Sequence, residues 1–205
     1  MSKIPFYLFL VLFSFYTSAA QAGQNNYTGH DSVSVSSAVT ITEVEAIRFG
    51  NFSVTGSPVG SDASIVLSHH GSRTSYNGAS TQITLLYGST QGGATNTGAQ
   101  GPGHYQVAQA GASTNLYVTF NDLTGTPVAA CPSGTIFLNG PVGSGQFCVD
   151  SFTFNETGTD GTGPYVVTDG SGNATILVGA TLHTMAGASY PPGKYTGTLE
   201  VEISY

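Results

Sequence analysis

Short runs in which apolar and polar residues alternate recur along the chain beyond its opening segment. Strand side chains alternate between two faces, so such runs predict half-buried β-strands. "SVSVSSAVTITEV" (32–44) alternates Val33, Val35, Val39 and Ile41. "IRFGNFSV" (47–54), "ASIVLSHH" (63–70), "TQITLLY" (81–87), "HYQVAQA" (104–110) and "TNLYVTF" (114–120) continue the series. "GTIFL" (134–138) and "QFCVDSFTF" (146–154) come next. "PYVVTDGSGNATILV" (164–178) reads as two strands around a Gly/Asn turn, and "ATLHTM" (180–185) as another. Clusters of Gly, Asn, Pro and Ser punctuate these runs, and no segment holds a helical period over three turns. About ten short strands without a helix predict an all-β, immunoglobulin-like antiparallel β-sandwich, with a β-barrel as the alternative.

The cleanest alternation lies in "YPPGKYTGTLEVEISY" (190–205). Tyr195, Leu199, Val201, Ile203 and Tyr205 fall on one face, and Thr196, Thr198, Glu200, Glu202 and Ser204 on the other. Pro191 and Pro192 cannot donate ladder hydrogen bonds and mark the start of the strand. Burying each large apolar side chain is worth about 1.5–3 kcal/mol, so the strand is expected inside a sheet. Such a strand pairs with a neighbour of its own or accepts a strand from another chain. Ser32–Ile41, carrying Val33, Val35, Val39 and Ile41, is the candidate donor; its alternative is pairing within its own domain.

The opening segment reads differently. Lys3, the apolar run "FYLFLVLFSF" (6–15) and "AQA" (20–22) form a secretory signal over residues 1–22, with cleavage expected between Ala22 and Gly23. The run is too short to span a bilayer. Residues 23–37 then form an N-terminal extension and 38–205 one domain, with a Gly-rich loop at 88–103. Removing Lys3 leaves Arg48, Arg73 and Lys194 against eleven acidic residues, a net charge of −8. That balance excludes binding to nucleic acid or to anionic lipid.

The chain has two cysteines, Cys131 and Cys148, and an exported context favours a disulfide between them. Closing a loop of that size is worth about 3 kcal/mol. A metal pair or a catalytic thiol is disfavoured, because the pair lacks CxxC spacing and a His nearby in the sequence. No GxSxG elbow, P-loop, HExxH or dinucleotide fingerprint occurs, so neither catalytic, metal nor cofactor residues are assigned. His69 and His70 are adjacent and would face opposite sides of a strand, which favours a solvated strand end over a shared metal. "DGSGN" (169–173) reads as a hairpin turn, because Ala174 and Ala180 stand where a calcium loop needs Gly and an acid. Tyr76, Tyr87, Tyr105, Tyr165 and Tyr190 lie near Gly-rich loops and would bind sugars if exposed, or pack the ends of the sandwich if buried.

"AVTITEVEAIRFGNFSV" (38–54), with its Phe49-Gly50 pair, resembles the opening of a family of exported bacterial β-domains catalogued as a domain of unknown function. "ATILVGATLHTMAGASYPPGKYTGTLEVEISY" (174–205) resembles its ending: a strand, a G-x-L turn at Gly179–Leu182, Pro-Gly-x-Tyr-x-Gly and a last alternating strand. That family is pilin-like in character. The ending is also similar to chaperone–usher pilus subunits, although here the aromatic is last rather than next to last. The resemblance implies a secreted, non-enzymatic fimbrial or cell-surface subunit of a Gram-negative bacterium. Other copies of itself or a pilus-type assembly chaperone are its expected partners. A glycan-binding adhesin and a small secreted hydrolase are the alternatives.

Overall fold

The computed structural model describes residues 25–27, 39–59, 63–86, 100–134 and 136–205. The expected signal segment, the cleavage pair Ala22 and Gly23, the donor residues Val33 and Val35, Tyr87 and most of the Gly-rich loop lie outside the described residues.

Fourteen strands and no helix occur among the described residues. In chain order they are β1 (Asn25–Tyr27), β2 (Thr40–Glu45), β3 (Phe52–Gly56), β4 (Ser64–Leu67) and β5 (Arg73–Tyr76). Then come β6 (Thr81–Leu85), β7 (Gly103–Ala108), β8 (Asn115–Asn121), β9 (Ile136–Leu138) and β10 (Phe147–Phe154). β11 (Gly158–Thr159), β12 (Pro164–Val167), β13 (Ala174–His183) and β14 (Glu200–Ser204) complete the order. One sheet runs β1-β14-β8-β12-β11, and a second runs β2-β7-β13-β10-β9, with β4 also on β13 and β5 on β4. β3 and β6 form a separate two-stranded ribbon. Every pairing is antiparallel. The chain is an antiparallel β-sandwich.

The core has two parts. In the first, Leu116, Val166, Val201 and Ile203 of the five-stranded sheet meet Ile41, Val107, Ile176 and Val178 of the second sheet. In the other, Ile65, Phe147, Val149, Ala180 and Leu182 of the second sheet meet Phe49 and Ile83, the latter on the ribbon. β13 serves both: Ile176, Val178, Ala180 and Leu182 share one face, two residues apart, and split between the parts.

Two expectations are corrected here, and one strand is added to those expected. The segments 164–178 and 180–185 are not divided at Gly179, and Gly179–Leu182 is no turn; β13 runs unbroken through it. At Gly179 the edge of β13 passes from β7 to β4, and a Cβ there would strike the backbone of Leu67, Ser68 and His69. Glycine is needed for that approach. The Asp169 turn does not make a hairpin, because β12 joins the first sheet and β13 the second. The turn is nevertheless tight: Asp169 Oδ1 accepts from the amides of Ser171 at 2.8 Å and Asn173 at 2.9 Å. Lastly, strand β5 lacks an apolar alternation. It forms around buried Arg73, whose guanidinium donates to the carbonyls of Phe49 at 2.6 Å, Asn51 at 3.0 Å and Leu86 at 3.3 Å.

Candidate functional site

The last strand is shorter than its alternation. Regular pairing begins at Glu200, whereas Thr196 is tied to the second sheet by reciprocal backbone bonds with Asn139 at 2.8 and 2.9 Å. The predicted face is therefore divided. Tyr195 packs in the second part of the core, Leu199 touches both, and Val201, Ile203 and Tyr205 belong to the first. Glu200, expected on the wet face, is buried at 4% exposure. On that face Glu202 accepts a 2.9 Å hydrogen bond from the Asn121 amide.

β14 is an interior strand. β8 covers one edge from Glu200↔Asn121 to Ser204↔Tyr117. On the other, Asn25, Asn26 and Tyr27 pair with Ile203, Glu202 and Val201. Of the candidate donor Ser32–Ile41, residues 32–38 lie outside the described residues; Ile41 pairs with Val107 of β7 and is buried, and Val39 packs beside it, which is the alternative of pairing within the domain. The physical reason is the second sheet's own edge, where Ile41 buries its side chain against β7 and β13.

The second cluster of interest surrounds the Cys131–Cys148 bond, which spans 17 residues with a Cα–Cα distance of 6.0 Å. Cys148 on β10 stands directly across from His183 on β13. Asp150, two residues along β10, shares the face. Its Oδ2 accepts from the Cys131 amide at 2.7 Å, and its Oδ1 lies 3.0 Å from His183 Nε2. The sequence spacing gave no sign of a His beside the sulfurs, because the proximity comes from strand register. On the opposite, core-facing side of β10, Phe147 stacks on Tyr190 at 4.1 Å and meets Tyr195 edge-on at 4.9 Å. The Tyr190 hydroxyl accepts from the Met185 amide at 2.6 Å and donates to Gln146 O at 3.1 Å. Burial pushes its pKa up.

A third feature is a cleft of about 470 Å³ at the bulge in β10, between Asp150 and Thr153. His69, His70, Phe152, Phe154 and Glu156 contribute to its lining. The histidines lie beyond the end of β4, in a turn, with ring centroids 4.1 Å apart. Burial first, and then His70, lower the pKa of His69 against the opposing pull of Glu156. Of the tyrosines, Tyr76 is exposed and Tyr105 is buried in the core.

A family described as Domain of unknown function (DUF4402) matches residues 39–205. The chain belongs to this family. DUF4402 thus covers every strand from β2 to β14, including both cysteines, Asp150 and His183, while β1 lies outside the match. No curated protein and no solved structure matches the chain. No helix among the described residues is long and apolar enough to cross a membrane.

Proposed function

We propose that this DUF4402 chain is an exported, non-enzymatic subunit of a fimbrial or pilus-like cell-surface assembly in a Gram-negative bacterium. In this reading the segment around Asn25–Tyr27 of one copy adds to β14 of the next. The observation that supports it is the pairing of β1 with β14 through three residue pairs. A three-residue strand offers a handful of hydrogen bonds, each worth about 0.5–1.5 kcal/mol net. So small a hold on its own sheet leaves the segment exchangeable between identical copies, by β-augmentation or domain swapping. The similarity of 174–205 to pilus subunits points the same way.

The test is deletion of residues 23–37 from the exported protein. The full chain is expected to give a ladder of polymers on unboiled gels. The deletion should abolish the ladder and lower stability, and a synthetic peptide of residues 23–37 should restore the stability. A full chain that stays monomeric at all concentrations, or a deletion as stable as the full chain, overturns the proposal.

A further inference from the structure

The disulfide cluster holds more than a cross-link. Cys131 Sγ, an Asp150 carboxylate oxygen and a His183 ring nitrogen all lie within 4.8 Å of one another. Cys148 Sγ is bonded to Cys131 Sγ and brings a fourth donor atom. Cys148 and Asp150 come from one strand, His183 from the strand beside it, and Cys131 from a loop whose amide donates to Asp150. Cys148 is fully buried and Asp150 nearly so. His183 Nε2 lies 3.0 Å from Asp150 Oδ1, on the side of the ring away from Nδ1. That Nδ1 is buried and has no hydrogen-bond partner. Gly134 packs its backbone against the bond: a Cβ there would strike Cys148 Sγ.

Two sulfurs, an imidazole and a carboxylate are the donor set that zinc takes in tetrahedral sites, at about 2.0–2.3 Å from the metal. We propose that reduction of the Cys131–Cys148 bond turns this cluster into a zinc site with Cys131, Cys148, Asp150 and His183 as its ligands. The reductant is a thiol. Two of its molecules form their own disulfide and leave two protein thiols. One Zn²⁺ then displaces both thiol protons to solution and binds the two thiolates, the carboxylate and the neutral imidazole. The metal thereby replaces the sulfur–sulfur bond as the tie between the loop and β10. Ligand atoms of a tetrahedral site at those metal distances lie roughly 3.3–3.8 Å apart, so the two sulfurs must part and the 3.0 Å Asp150–His183 contact must open as the wider pairs draw in. The mobile partner in that step is the Cys131 loop, because the other three ligands stand on paired strands.

The test uses the full chain, reduced with a phosphine that is then removed, and zinc alone in competition with a chromophoric chelator. Reduced protein should take up one zinc per chain and oxidised protein none. Cobalt in place of zinc should give thiolate-to-metal charge-transfer absorption with tetrahedral visible bands. Asp150→Asn and His183→Gln should each weaken zinc by at least about tenfold, the scale on which zinc sites respond to lost partners. Near-ultraviolet circular dichroism reports whether each sample is folded. Three results overturn the proposal: no zinc on the reduced wild-type chain, equal affinity in both variants, or uptake only after the folded signal is lost. Should a variant fail to fold, the wild-type cobalt spectrum decides, since octahedral bands or absent charge transfer are fatal to it.

Discussion

Ile176 and Val178 of β13 bury against another sheet, while Ala180 and Leu182, farther along the same face, bury against a ribbon and irregular loops. The first region is sheet on sheet. Its buried side chains are mostly aliphatic, with Tyr105 and Phe154 among them, and its far edge is covered by backbone pairing of β1 with β14. The second has no second sheet to lean on. It is closed by an aromatic stack of Phe147, Tyr190 and Tyr195 and by the Arg73 guanidinium spread over three carbonyls, while the Cys131–Cys148 bond ties a loop to the opposite face of β10. The contrast teaches that one strand can serve two kinds of core. Where a facing sheet is present, regular burial suffices. Where it is missing, local and directional interactions close the gap.

The largest expected effect breaks the sheet-on-sheet region. Val201 is 2% exposed, and Val201→Asp places an unpaired charge there. The cost is several kcal/mol, out of the roughly 5–15 kcal/mol a domain has. The variant should be degraded or aggregate when exported, whereas Thr198→Asp, at an exposed position, should behave as wild type. Equal behaviour of the two, followed by protease sensitivity and yield, counts against the burial of β14.

A smaller effect sharpens the comparison on the other side. Phe147→Ala removes the ring at the centre of the aromatic stack and should cost about 3–5 kcal/mol in urea unfolding. Native-state hydrogen exchange should show the loss mainly at β9, β10 and the second half of β13. Equal loss at β8 and β14 would mean that both regions open as one unit.

The smallest effect is electrostatic and sits at the bulge between the regions. Burial lowers the His69 pKa, so protonation is disfavoured in the folded state. The stability this group contributes is present above the ordinary histidine range, near pH 6.5, and is lost as pH falls through the depressed value. Denaturant midpoints should therefore fall less on acidification in His69→Gln than in wild type. A variant that loses stability in parallel with wild type between about pH 7.5 and pH 5 would remove His69 from the account.

Alternation located the strands wherever a strand has one wet and one dry face, as in β2, β7 and β8. It failed where another force sets the structure. β5 is built on an arginine that satisfies carbonyls, which no apolar pattern reveals. Gly179 looks like a breaker and is instead a point of close approach inside β13. Residues 195–199 keep the alternation but cross from one sheet to the other, where Gly197 leaves no room for a side chain against Phe137 and Leu138. The disulfide was legible from two cysteines and their context. The His183–Asp150 pair beside it was not, because it depends on Cys148 and His183, 35 residues apart in number, meeting in register.

The position of β13 also sets a timetable. It spans residues 174–183 and is needed by both parts of the core, so neither can close until most of the chain has been made. Strands emerging earlier wait with their apolar faces uncovered, and such long-range pairing is slow. Beyond residue 22 the chain offers trypsin-like enzymes three cleavable positions, Arg48, Arg73 and Lys194, so the long wait passes with little for them to cut.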